Sequence, residues 1–78
     1  MEDIKDKLIE FLKDNIDNAD VQVTYSRMCI ERAPLRMVNN NLYNKLSDLV
    51  DDFLQDNDIT DEWFEETFID IEDLFDYL

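Results

Sequence analysis

The stretch VQVTYSRMCIERAPLRM, from Val21 to Met37, decides whether this chain is all-helical or mixed. Val21, Val23 and Tyr25 alternate as a strand would, and β-branched residues favour that conformation. Val21, Tyr25, Met28 and Arg32 also recur at a spacing that suits a helix. The rest of the chain tips the balance. It has no glycine to turn a tight hairpin and no obvious second strand. A lone strand would leave its backbone N–H and C=O groups without partners. The expectation is a helix that ends before Pro34, because a proline biases the residue preceding it away from helical backbone. The alternative is an α+β chain with a short strand near residues 21–25.

Working outward, the N-terminal side reads as an amphipathic helix from roughly Glu2 to Ile16. Ile4, Leu8, Phe11 and Leu12 share one face, with Ile16 near its edge. DNIDNAD then ends it. On the C-terminal side, Leu35, Val38, Leu42, Leu46, Leu49 and Phe53 fall on one face, with Val50 and Leu54 beside it. The Asn39–Asn41 run interrupts that pattern and offers an N-cap, so the secure helix is placed at 41–56. QDNDIT forms the next break, with Thr60 as the cap and Ile59 and Phe64 spaced as a hydrophobic staple. A final helix would run from Asp61 to the end. The predicted fold is all-α, a small bundle of three to four helices in one acidic domain spanning 1–78.

A chain of 78 residues buries only roughly 60–65% of the surface its unfolded form exposes, so its core is thin. Apolar residues at 45% suffice for a folded domain, whereas a net charge of −14 opposes compaction by self-repulsion. Histidine and glycine are both absent, which removes the commonest general base and zinc ligand and every glycine-rich phosphate loop. No cofactor is expected. Cys29 stands alone, which fits a reducing compartment and excludes an internal disulfide. It is expected as a small buried hydrophobe, with Met28 and Met37 as core filler. The opening MEDIKDKLIEFL is too charged for a secretory signal, and the longest apolar run is the three residues MCI at 28–30. The expectation is a cytoplasmic protein without membrane contact.

Charge is unevenly spread. Residues 1–45 hold eight acids and seven bases, whereas residues 46–78 hold thirteen acids and no base. The closing DEWFEETFIDIEDLFDYL combines eight acids with five aromatic residues. On one continuous helix, Phe64, Phe68, Ile71, Phe75 and Leu78 form a core stripe, and Trp63, Leu74 and Tyr77 form an apolar shoulder beside it. Glu62, Glu65, Glu66, Asp70, Asp73 and Asp76 occupy the other half. Ile69 breaks the scheme by pointing into the acids: either the helix is interrupted near Thr67–Asp70, or Ile69 is a partner contact, or it is merely exposed. A solvating face normally mixes signs, and Asp73 and Asp76 near a helix C-terminus would each cost about 0.3–1 kcal/mol. Such a helix would be about 27 Å long and carry roughly one carboxylate per 3.4 Å, close to the phosphate density of one DNA strand.

Other chemistries fit poorly. An EF-hand starting at Asp56 would need Gly at Asp61 and Glu at Thr67, so no metal site is expected. No distinct carboxylate pair marks a catalytic pocket, and no catalytic residue is assigned. Arg27, Arg32 and Arg36 form the one basic cluster; on so acidic a chain they are expected to pair with the C-terminal acids rather than bind nucleic acid directly.

The leading expectation is a non-enzymatic interaction protein whose acidic C-terminal face binds a basic, nucleic-acid-binding protein surface as an inhibitor or regulator. In charge and size it is comparable with the class of small acidic proteins that imitate DNA, and no motif points to a family. The alternatives are an adaptor or accessory subunit that docks through Trp63, Leu74 and Tyr77, and a homodimer that buries that shoulder against itself.

Overall fold

The computed structural model of the chain describes residues 3–78. Over these residues it is an all-α bundle without a strand. The helices are α1 (Ile4–Asn15), α2 (Asn18–Glu31), α3 (Leu35–Val38), α4 (Asn40–Asp56), α5 (Asp61–Phe68) and α6 (Ile71–Phe75). The predicted start of the first helix at Glu2 lies outside the described residues.

The Val21–Tyr25 stretch is helical and belongs to α2, so the strand alternative is discarded. Asp17 caps the start of α2, its carboxylate accepting from the Ala19 N–H at 2.9 Å. The helix ends on Arg32, which adopts left-handed backbone (φ 53°, ψ 45°) and donates its N–H to the Met28 carbonyl. Pro34 then forbids continuation.

The asparagine run resolves into a cap shared by two elements. The Asn39 Oδ1 accepts from the Leu42 N–H at 3.1 Å and starts α4. Its Nδ2 donates to the Thr24 hydroxyl at 3.0 Å, tying α2 to the α3–α4 junction. Thr24 is 2% exposed, so this bond satisfies a hydroxyl that would otherwise be buried without a partner.

α4 is the central element. Leu42, Leu46, Val50, Phe53 and Leu54 are buried on it, as their spacing predicts. α1 packs against α4 through Leu8 and Leu12, and α3 and α6 contact α4 as well. Phe11 meets Phe53 with ring centroids 5.6 Å apart. Ile59 and Phe64 both join the core at the start of α5, as a staple requires; Thr60 stands at the cap position but its hydroxyl makes no capping bond.

Three expectations are corrected. The helix drawn from Asp61 to the end is two helices, broken at Ile69–Asp70, so of the readings of Ile69 the interruption near Thr67–Asp70 holds. Cys29 is exposed, not buried, because it lies on the outer part of α2. Met37 is 75% exposed rather than core filler, whereas Met28 does pack against the core.

Candidate functional site

A chain without glycine must place positive-φ turns on residues with a Cβ, and here they fall on Arg32, Asp58 and Ile69. Asp58 is well tolerated there, since a short polar side chain suits left-handed backbone. Ile69 is the costly one. At φ 70°, ψ −62° it is the centre of a γ-turn, closed by the Asp70 N–H donating to the Phe68 carbonyl at 2.8 Å. For a β-branched residue this conformation is strained by about 1–3 kcal/mol. The side chain is nevertheless 74% exposed, so little core packing compensates locally.

Asp70 explains why the helix restarts there. Its carboxylate accepts from the Glu72 N–H at 2.8 Å and the Asp73 N–H at 3.2 Å, an N-cap for α6. Glu72 and Asp73 therefore stand in a first helical turn, where negative charge is favoured. Asp73 is not the repulsive C-terminal acid the continuous helix implied; Asp76, at the end of α6, keeps that role.

The core stripe survives the break. Phe64, Phe68, Ile71 and Phe75 are all buried, with Leu78 packed against them. The shoulder is largely consumed inside the fold. Leu74 is fully buried and presents nothing outward. Trp63 is half-buried with its ring edge-on to Phe68, centroids 6.2 Å apart. Tyr77 is 45% exposed and also packs edge-on against Phe68, at 5.5 Å. The Lys5 ammonium sits 4.4 Å from the Tyr77 ring centroid and 3.3 Å from its hydroxyl, clamping α1 to the chain end.

Glu62, Glu65, Glu66, Asp70, Asp73 and Asp76 are all exposed, but they do not make one straight stripe. Ile69, Asp73, Asp76 and Tyr77 surround one cleft of about 300 Å³. Glu65 instead borders a second cleft of about 290 Å³, together with Asp61 and with Asp51 from α4. Glu62 and Glu66, one turn apart on α5, line neither. The rod-like charge spacing of a continuous helix is lost, and a broken, two-sided acidic surface replaces it. No family model, curated protein or solved structure matches this chain.

The basic residues counter this surface only weakly. Among the described residues the acids after Lys45 make one ion pair, Arg36 Nε to Glu72 Oε1 at 4.0 Å. At that distance the contact is electrostatic rather than a hydrogen bond. Of the three arginines expected to pair with the C-terminal acids, Arg36 does so. Arg27 instead pairs with Glu31 on its own helix, at 3.0 Å and in solvent. Such exposed pairs contribute little, about 0.3–0.5 kcal/mol.

No group of three or more His, Cys, Asp or Glu among the described residues is arranged to hold a metal ion, and no helix there is long and apolar enough to cross a membrane. Sequence reasoning raised a break near Thr67–Asp70 without its γ-turn geometry, and missed the Asn39–Thr24 link and the Lys5 clamp. The first had a readable signal: Asp70 followed by Glu72 and Asp73 is an N-cap with an acidic first turn.

Proposed function

We propose that this chain is a non-enzymatic interaction protein whose acidic C-terminal surface binds a basic, nucleic-acid-binding surface of another protein, in the manner of a DNA-mimicking inhibitor or regulator. The observation that carries this reading is the thirteen acids without a base in residues 46–78, joined to the rest of the described chain by a single long ion pair. Charge left unpaired inside the fold is free to be neutralised by a partner, and desolvated opposite charge gives both orientation and rapid association. Ile69, exposed among Asp70, Asp73 and Asp76, supplies an apolar point of contact within that charge. A basic surface with a shallow apolar pocket is the complementary shape.

The adaptor reading loses support, because Leu74 is buried and Trp63 and Tyr77 are engaged with Phe68. A homodimer through the same shoulder loses support for the same reason. Acids that face solvent rather than an enclosed pocket favour binding over catalysis.

The test is capture from native-host lysate with the tagged protein, alone and with excess duplex DNA. Nucleic-acid-binding proteins should be retained at low salt, then displaced by DNA or by about 0.5 M salt. A variant carrying Glu62→Gln, Glu65→Gln, Glu66→Gln and Asp73→Asn should lose them. Retention that survives both DNA and this neutralised variant overturns the reading.

A further inference from the structure

The acidic surface is not uniform, because one part of it is a groove. The cleft bordered by Asp51, Asp61 and Glu65 measures about 290 Å³. A neighbouring cleft of about 550 Å³ shares Asp51, Leu54 and Asp61 with it, so the two run together between α4 and α5. The floor is apolar, made of Val50 and Leu54 from α4, Phe64 from α5 and Ile71 from α6. Spacing explains the layout. Val50 and Leu54 are one turn apart on the buried side of α4, and Asp51 follows Val50 at the edge of that side. Asp61 and Glu65 are likewise one turn apart on α5, beside the buried Phe64. No base lines either cleft, and among the described residues none of these three acids makes an ion pair.

We propose that this groove receives an arginine side chain of the basic partner, its stem on the apolar floor and its guanidinium among the carboxylates of α4 and α5. This anchor presupposes the acidic-surface binding proposed above and locates it. The chemistry of the groove selects the occupant. Uncompensated carboxylates call for a cation, and the same charges repel nucleic acid and anionic lipid. A metal ion does not fit, since no group of three acids among the described residues is arranged to hold one. The three acids line one groove without converging on a point, which suits a cation whose charge is spread over several donors. A lysine ammonium is a compact, strongly hydrated point charge and matches them less well. Arginine has five N–H donors to divide between two helices, and its methylene stem covers apolar surface. Thr60 adds an acceptor, because it lines the second cleft and its hydroxyl makes no capping bond.

The experiment is titration of the isotope-labelled full chain at low salt with a capped alanine–arginine–alanine tripeptide, read by amide chemical shifts. Tripeptides carrying lysine or citrulline in place of arginine are the comparison. Arginine should move the amides of Asp51, Leu54, Asp61 and Glu65 saturably and bind about threefold or more tighter than lysine. Citrulline, close in shape but uncharged, should leave them unmoved. Asp51→Asn with Glu65→Gln should weaken arginine binding about fivefold or more. Glu10→Gln with Asp14→Asn removes the same charge from exposed positions on α1 and should weaken it less than about twofold. Equal weakening by the two pairs, lysine binding as tightly as arginine, or shifts centred on Ile69 overturns the anchor. Lysate capture separates the anchor from the wider reading. Loss of the DNA-displaced partners from the Asp51→Asn, Glu65→Gln chain supports the anchor, and their full retention overturns it while leaving the acidic surface as the binder. Arginine binding in the groove with no nucleic-acid-binding protein captured overturns the wider reading and leaves the groove standing.

Discussion

α2 and the α5–α6 pair use similar lengths of chain, 14 residues against 8 and 5, and put them to opposite uses. α5 and α6 bury Phe64, Phe68, Ile71, Leu74 and Phe75 and expose almost nothing but charge. α2 buries Val21 and Thr24 and exposes Val23, Tyr25 and Ile30. The acidic segment is held by apolar burial strong enough to tolerate repulsion and a strained turn. α2 is held by little burial, by the links of Thr24 and Asp20 to Asn39, and by the Tyr25 ring stacked on Phe75. Charge density is thus no guide to which part of a small protein is firmly packed, and apolar content is no guide to which part is buried.

The largest effect that sharpens this contrast is Leu74→Ala against Val23→Ala. Leu74 is fully buried, so its truncation should cost about 3–4 kcal/mol from lost transfer energy and cavity formation. Val23→Ala should stay within about 0.5 kcal/mol in a monomeric sample. Urea unfolding followed by circular dichroism measures both, and equal losses would erase the distinction drawn between the two regions.

A middle-sized effect is expected at the link itself. Asn39→Ala removes the α4 cap and leaves the buried Thr24 hydroxyl without its donor, costing about 2 kcal/mol. Amide hydrogen exchange should show the added opening concentrated in α2 and the first turn of α4. Protection loss spread evenly over α5 and α6 would show that α2 is not separately anchored.

The smallest effect has the opposite sign. Ile69→Gly should raise stability by about 1 kcal/mol, because relief of the γ-turn strain exceeds the entropy that glycine adds to the unfolded chain. With Ile69 mostly exposed, little burial is lost in exchange. A higher urea midpoint combined with weaker partner capture would separate the residue's structural cost from its use as a contact. A lower midpoint would show that the isoleucine is not strained there.

Much of the fold was legible without coordinates, and for identifiable reasons. α4 could be read because Leu42, Leu46, Val50 and Phe53 repeat at helical spacing over more than three turns, where a strand would scatter them. The staple at Ile59 and Phe64 and the cap among the asparagines follow from local backbone chemistry that a short window contains. The break at Ile69 was harder. The apolar stripe of Phe64, Phe68, Ile71 and Phe75 continues across the turn as if the helix did, so periodicity concealed the interruption. The misfit of Ile69 among the acids pointed to it, and the capping pattern of Asp70 before Glu72 and Asp73 was a second signal.

The sequence by itself favoured the all-helical class, and it determined the register of α1 and α4 and the concentration of acid beyond Lys45; that residues 21–25 are helical was decided by the structure. These depend on spacing and composition, which are local. Tertiary structure alone decided which of α2's two apolar sides is buried and that Leu74 belongs to the core rather than to a docking shoulder. It alone decided, too, that Asp73 and Asp76 border one cleft and Glu65 another, while Glu62 and Glu66 line neither. Those outcomes depend on which surfaces meet across the bundle, and a pattern along one helix carries no record of its neighbour.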